Sequence, residues 1–319
     1  MPLVKSQHKP KFLFKHGHFS TIYSAKLRPT PTLIQERERV GLADGDFIDV
    51  DWSFSKIKTR KVAILLHGLE GNAQRVYIIG QAKQLVLNSW DVAAMNHRGC
   101  SGEDNLLYES YNSGRTCDLE SLIEFILKKG QYDEISLIGF SLGGNLVLKY
   151  LGERETLPKE IKKGIAISAP LNLKGSLQAL NKPENILYNR VFVNDLKKKY
   201  KRKMPHFPDK MNIETYQNIK TLIDFDNLYT APAHGFNDAF DYYEKSSSIQ
   251  FIENIKIPVL ILSAKNDSFL SKECYPISLA SELKNVYLEV PNYGGHVGFH
   301  KTNKEQYSEL RVVDFLTNK

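Results

Sequence analysis

Strand-length apolar runs that stop at small or polar residues, with helix-spaced segments between them, limit what this chain can fold into more than any other feature. "KVAILLHG" (residues 61–68) and "WDVAAMNHRG" (90–99) are two such runs, each ending in a glycine loop. "EISLIGF", "KKGIAISAP", "IPVLILSA" and "NVYLEVP" repeat the pattern further on. Between them "CDLESLIEFILKKG" and "LGGNLVLKYLGE" carry apolar residues at helical spacing, the first with Asp118 near its start and Gly130 just past its end. Strands taking turns with helices imply an α/β fold, a mostly parallel sheet covered by helices on both faces. Two alternating stretches upstream, residues 33–41 and 45–54, read as a hairpin and bring the expected strand count to eight. The rhythm breaks between Asn172 and Gln250, where the chain is polar, basic and tyrosine-rich and shows no buried strand. The expected organisation is therefore a core from residues 1–171 and 251–319 with a helical cap inserted at 172–250. Surface loops tolerate such insertions because closure entropy grows slowly with loop length.

One strand-to-helix junction reads Gly139-Phe-Ser-Leu-Gly143. A serine with glycine two residues before and two after suits a nucleophile elbow, a sharp turn that exposes the hydroxyl and needs small neighbours. Ser141 as a nucleophile needs a base, a carboxylate to orient that base, and donors for the developing oxyanion. In this arrangement the partners follow in the order Ser, Asp/Glu, His. The base candidate is His296, in the glycine-rich "VPNYGGHVGFH" after the last expected strand; His300 is its competitor. The acid candidate is Asp267, in "LILSAKNDSFL", because groups at the carboxyl ends of parallel strands gather at the site. Asp238 and Asp241 are alternatives within the cap. The oxyanion donors are expected to be the backbone N–H groups of Leu142 and of Leu69, with His67 as a structural hydrogen-bonding residue.

Composition narrows the class. Of 319 residues 42% are hydrophobic and 25% charged, a globular profile. No apolar run approaches membrane-span length, and the basic N-terminus lacks the pattern of a signal peptide. Cys100, Cys117 and Cys274, an odd number without C-x-x-C spacing, argue against a disulfide framework and fit a cytoplasmic location. The formal charge of +7 owes much to the run from Lys197 to Lys203, expected to face solvent or make weak contact with an anionic membrane surface. No nucleic-acid motif accompanies it. Neither a phosphate-cradling glycine loop nor a metallohydrolase H-E-x-x-H is present, so no cofactor and no metal are expected.

Five stretches carry a resemblance to a known family: "GHFSTIY", "HGLEGN", "NHRGCSGE", "GFSLGGN" and "YTAPAHGFNDAFDYYEKSSS". Over about residues 10–315 the chain resembles the α/β hydrolases, and within them the YheT-like branch that includes the animal abhydrolase-domain lipid esterases. The resemblance implies an α/β-hydrolase fold, a Ser141–Asp267–His296 charge-relay triad, and hydrolysis of carboxylic esters without a cofactor. Animal members of the branch carry an N-terminal membrane anchor, and none is expected from the residues of this sequence. The expected partner is a small-molecule acyl ester of short to medium chain length, attacked to give an acyl-enzyme on Ser141. Two other readings stand beside it: an acyltransferase using the same triad, and a non-catalytic binding protein. Aromatic residues of the cap, among them Tyr188, Phe192, Tyr216, Phe225, Tyr229, Phe236, Phe240, Tyr242 and Tyr243, are candidates to line an acyl pocket.

Overall fold

The computed structural model describes residues 3–302 and 304–317. Its strands are β1 (Leu3–Val4), β2 (Glu36–Gly41), β3 (Phe47–Ser53), β4 (Lys61–Leu66), β5 (Asp91–Asn96), β6 (Glu134–Phe140), β7 (Ile161–Ile167), β8 (Val259–Leu262) and β9 (Val286–Glu289). They form one sheet in the order β1-β9-β8-β7-β6-β4-β5-β3-β2. β2 and β3 form the expected antiparallel hairpin, β3 runs antiparallel to β5, and all other pairs are parallel. Among the described residues the sheet thus has nine strands, one more than the expected eight. The addition is β1, whose Leu3 lies opposite Leu288; two residues are too few to show an alternation.

The apolar runs are continuous because both faces of the sheet are covered. Along β6, Ile135 and Leu137 enter one core while Ile138 and Phe140 enter the other. Helices Cys117–Lys128 and Leu142–Glu153 pack on the first face, through Leu122 and Leu146 among others. Helices Val76–Leu87 and Tyr307–Thr317 pack on the second, through Leu85 and Val312.

Between β7 and β8 the chain forms helices, including Leu173–Leu180, Ile186–Lys203 and Ala239–Ser246. These enclose a third apolar cluster in which Tyr229 meets Tyr108, Tyr200 and Phe225 edge-on. The run from Lys197 to Lys203 lies at the end of Ile186–Lys203, with Lys198, Lys201 and Arg202 exposed as expected and others of its cations turned inward. Lys199 and Lys203 are buried. The Lys199 ammonium meets Glu70 at 2.7 Å, and that of Lys203 donates to Asn105 Oδ1 and to the carbonyls of Leu107 and Tyr108. Lys197 donates to the carbonyls of Tyr216 and Ile219, and Arg202 pairs with Asp104. Much of this charge ties the helix down.

The junction of β6 with helix Leu142–Glu153 is the tightest place in the sheet. A Cβ on Gly143 would stand 2.4 Å from the Leu66 carbonyl oxygen and 2.7 Å from that of His67. One on Gly139 would stand 2.1 Å from the Gly143 oxygen. These contacts are backbone to backbone, so nothing flexible can yield. Gly143→Ala is expected to lose about 1–3 kcal/mol by overpacking. Gly41→Ala, where a Cβ meets nothing within 4 Å, should stay within about 0.5 kcal/mol of the parent. Urea unfolding of both variants checks the contrast.

Candidate active site

Ser141 follows the last residue of β6 with φ 52° and ψ −122°. Its N–H donates to the Ile167 carbonyl of β7 at 2.8 Å, and its own carbonyl accepts from Gly144 and Asn145. The hydroxyl is thereby held above the carboxyl edge of the sheet. His296 arrives from the loop after β9, where Gly294, Gly295 and Val297 all have positive φ. Asp267 arrives from the loop after β8, its side chain excluded from solvent.

The structure brings these three together. His296 Nε2 lies 2.9 Å from Ser141 Oγ, and His296 Nδ1 lies 2.9 Å from Asp267 Oδ2. An ionised carboxylate can only accept, so Nδ1 carries the proton and Nε2 presents its lone pair to the serine hydroxyl. The other carboxylate oxygen of Asp267 accepts the Phe269 N–H at 3.0 Å, and the Phe269 ring stacks on the imidazole with centroids 4.3 Å apart.

The alternatives are occupied elsewhere. The His300 ring stacks on Phe14 at 3.4 Å and meets Tyr23 edge-on. Asp238 caps helix Ala239–Ser246 by accepting the Asp241 N–H, and Asp241 pairs with Lys245.

Around the expected oxyanion donors, neighbouring amides are already spent. The Gly68 N–H donates to Tyr77 Oη at 3.1 Å and the Glu70 N–H to Tyr111 Oη at 2.8 Å. Among the described residues, the Leu69 and Leu142 N–H groups take no hydrogen-bond partner. Gly68 lies against Ser141, since a Cβ there would stand 3.0 Å from Ser141 Cβ. His67 holds this loop: its Nε2 accepts the His97 N–H at 3.1 Å and its Nδ1 meets the Gly68 carbonyl at 2.7 Å. Burial, reinforced by the neighbouring His97, keeps the His67 pKa well below that of an ordinary imidazole. Burial likewise lowers His97 to about 4.

Sequence reasoning missed the groups that hold the histidine loop. Thr21 Oγ1 accepts the His296 N–H at 2.9 Å, Asn266 Oδ1 accepts the Gly295 N–H at 3.0 Å, and Ser168 Oγ accepts the Val297 N–H at 3.0 Å. Ser24 Oγ donates to the Gly298 carbonyl at 2.9 Å. A Cβ on Gly295 would stand 2.3 Å from the Gly17 carbonyl oxygen. The "GHFSTIY" stretch is thus the bed on which the His296 loop lies.

Ser141 and His296 open into a cavity of about 140 Å³. Its walls are largely apolar, with Leu69, Leu173, Leu177, Phe225 and Leu270 among them. Of the aromatic candidates, Phe192, Phe225, Tyr229, Tyr242 and Tyr243 line it. Tyr188 instead meets His18 and Phe269, Tyr216 lies under Lys197, Phe236 packs on Tyr242, and Phe240 on Tyr243.

A family model described as the alpha/beta hydrolase fold matches residues 62–301. The chain belongs to the α/β-hydrolase family. It is 30% identical over 312 residues to the candidate esterase YheT of Escherichia coli (strain K12), covering 95% of this chain and 91% of that one. It is 27% identical to phospholipase ABHD3 of Bos taurus, covering 93% and 74%. The solved structure of the Pyrococcus furiosus esterase Pf2001 superposes with a TM-score of 0.60 at 18% identity, covering 89% of this chain and 90% of that one. The sequence likenesses to YheT and ABHD3 place the protein in the YheT-like branch and make it an esterase- and lipase-like hydrolase.

Two features of the hydrolase site can be checked directly. Thr21→Val should displace the His296 loop and lower kcat about tenfold or more, with Thr21→Ser restoring most of it; a kcat and KM comparison on a soluble ester reads this. The second feature is Asp226, on the cavity wall, which accepts from Tyr243 Oη at 2.6 Å. Burial raises its pKa from 3.8 to about 6, against the opposing hydrogen bonds from Tyr243 and Thr230. Its contribution to stability is therefore fully present below 3.8 and is lost as pH rises through about 6. Asp226→Asn should abolish that part of the decline in thermal unfolding temperature measured across the window.

Proposed function

We propose that the hydrolase cleaves short- to medium-chain acyl esters through an acyl-enzyme on Ser141. The observation that supports this best is the line of two 2.9 Å hydrogen bonds, Ser141–His296–Asp267, opening onto a largely apolar cavity. In this reading Ser141 Oγ attacks the ester carbonyl carbon while His296 Nε2 takes the hydroxyl proton. Asp267 keeps the Nδ1–H tautomer and stabilises the imidazolium that forms. The carbonyl oxygen becomes an oxyanion and accepts from the Leu69 and Leu142 N–H groups. Collapse expels the alkoxide, which leaves as the alcohol with the proton from His296. Water then attacks the acyl carbon, gives a proton to Nε2, and releases the carboxylic acid as Ser141 regains its hydrogen.

The helical segment 172–250 acts in this reading as the cap that sizes the acyl group. It contributes Leu173, Leu177, Phe192, Phe225 and Tyr229 to the cavity wall. Each buried methylene is worth about 0.8 kcal/mol, or roughly fourfold in kcat/KM, until the cavity is full. Nitrophenyl esters from acetate to dodecanoate measure that profile, and Phe192→Ala or Phe225→Ala should shift its optimum.

The mechanism has a sharper test. Ser141→Ala should lose several orders of magnitude in turnover while remaining folded, and a fluorophosphonate should label Ser141 alone in the parent. Asp267→Asn should lower turnover by about 10³–10⁴. Labelling of another serine, or near-normal turnover by either variant, would remove the assignment.

A further inference from the structure

The N-terminal segment supports the His296 loop with one side and presents apolar side chains to solvent with the other. In the turn Phe12–Lys15, Phe14 packs inward on His300, Phe19 and Tyr23. Its neighbours point the other way, leaving Phe12 83% and Leu13 62% exposed. On the start of helix Ile186–Lys203, Leu187 is 70% exposed, and Ile186 and Val191 are exposed as well. Tyr188 links the two segments: its hydroxyl lies 3.2 Å from His18 Nδ1 and its ring meets Phe269 edge-on.

This apolar face lies beside the loops of the candidate active site. Asn266, next to Asp267, donates to the Lys15 carbonyl at 2.9 Å, which fixes the Phe12–Lys15 turn beside the acid. Lys15 lies over the ring of Tyr293, on the loop that carries His296. Phe269 and Phe192 continue inward to the cavity.

Charge identifies what the face would meet. Residues 1–35 contain Lys5, Lys9, Lys11, Lys15, Lys26 and Arg28 and no Asp or Glu. Lys9, Lys11, Lys15 and Lys26 are exposed and form no ion pair among the described residues. Across the boundary, Lys182 and Arg190 are also exposed, against the single carboxylate Glu184 in residues 181–194. Exposed aliphatic and aromatic side chains flanked by unpaired cations suit a surface that is apolar inside and anionic at its boundary. A protein partner would have to supply both an apolar patch and acidic residues in the same outline. A lipid surface supplies both everywhere.

We propose that Phe12, Leu13, Ile186, Leu187 and Val191, with the lysines around them, dock the hydrolase on an anionic lipid surface and set the mouth of its cavity against that surface. The inference deepens the ester-hydrolase reading and rests on it only for what the surface delivers: an ester that moves from bilayer to cavity without crossing bulk water. Within the basic run from Lys197 to Lys203, Lys199 and Lys203 take no part, since their ammonium groups are buried and bonded.

Flotation with vesicles of phosphatidylcholine alone, or mixed with phosphatidylglycerol, reads docking without any turnover. The full chain should float with the mixed vesicles, less with the neutral ones, and less at high salt. Phe12→Glu with Leu13→Glu, and Leu187→Glu with Val191→Glu, should each weaken binding about tenfold or more. Hydrolysis of an ester embedded in the vesicles should fall in step, while turnover of a soluble nitrophenyl ester stays unchanged. Leu87→Glu, an exposed site at the opposite edge of the sheet, should change none of these. Vesicle binding that is absent, or equal in all variants, overturns the proposal. So does a loss of soluble-ester turnover that matches the loss on vesicles, because the substitutions would then act on the site itself. A dimer that the glutamates dissociate without altering flotation also overturns it, and assigns the face to a second copy of the chain. Absence of soluble-ester turnover in the parent would sink the ester-hydrolase reading and leave the docking result intact.

Discussion

A serine held at φ 52° and ψ −122° sits where an ordinary side chain pays roughly 1–3 kcal/mol, and the site is arranged around holding it there. The strain is offset locally by the hydrogen bond that the Ser141 N–H donates to β7 and by those its carbonyl accepts from helix Leu142–Glu153. It also requires that β4, β6 and the helix approach more closely than side chains permit, hence glycine at 68, 139 and 143. The reward is geometric. A relaxed turn would let the serine fall back toward the sheet. This one lifts the hydroxyl to meet a histidine from the loop after β9, 155 residues on in sequence. The helix N-terminus that the turn begins leaves the Leu142 N–H unspent, so one constraint both exposes a hydroxyl and leaves a donor beside it.

Much of this could be read from residue order because its causes are local. Apolar runs of strand length and Gly-x-Ser-x-Gly spacing need no partner to be visible. Ser141, Asp267 and His296 were legible for the same reason: each lies just beyond an obvious strand, where the topology of a parallel sheet brings loops together. What was not legible depends on pairings across the whole chain. β1 is two residues long and exists because β9 offers an edge. Thr21 resembles any threonine until His296, 275 residues away, presents its N–H. The cationic run was legible only in part: charge in a sequence usually means solvent, which Lys198 and Lys201 meet and Lys199 and Lys203 do not. Burying Lys199 and Lys203 takes acceptors on Glu70 and Asn105, 129 and 98 residues upstream.

Those buried lysines bear on how the helical segment and the sheet act together. Lys199 lies against Glu70 at 2.7 Å, Cys100 Sγ at 3.1 Å and the face of Tyr111. Burial alone would lower its pKa, but Cys100 and Glu70 outweigh burial and raise it, so the ammonium stays charged. Glu70 also accepts from Tyr111 Oη, and its own backbone has φ 49°. It follows Leu69, whose N–H is the second donor of the proposed oxyanion site. Helix Ile186–Lys203 is thereby coupled through one ion pair to the loop that carries this amide.

Pulling that helix away would leave two charges partly buried without partners, a cost of several kcal/mol. It would also free a strained loop whose position matters to within a fraction of an ångström. Wholesale lifting of this helix to admit substrate is therefore the expensive route. Movement of the Phe192 ring, which meets Phe269 edge-on at 6.0 Å at the wall of the cavity, breaks no ion pair and strands no charge. Access past Phe192 leaves the Leu69 loop in register and the Phe269 ring stacked on His296, and that is the cheaper way for this architecture to combine entry with a fixed site.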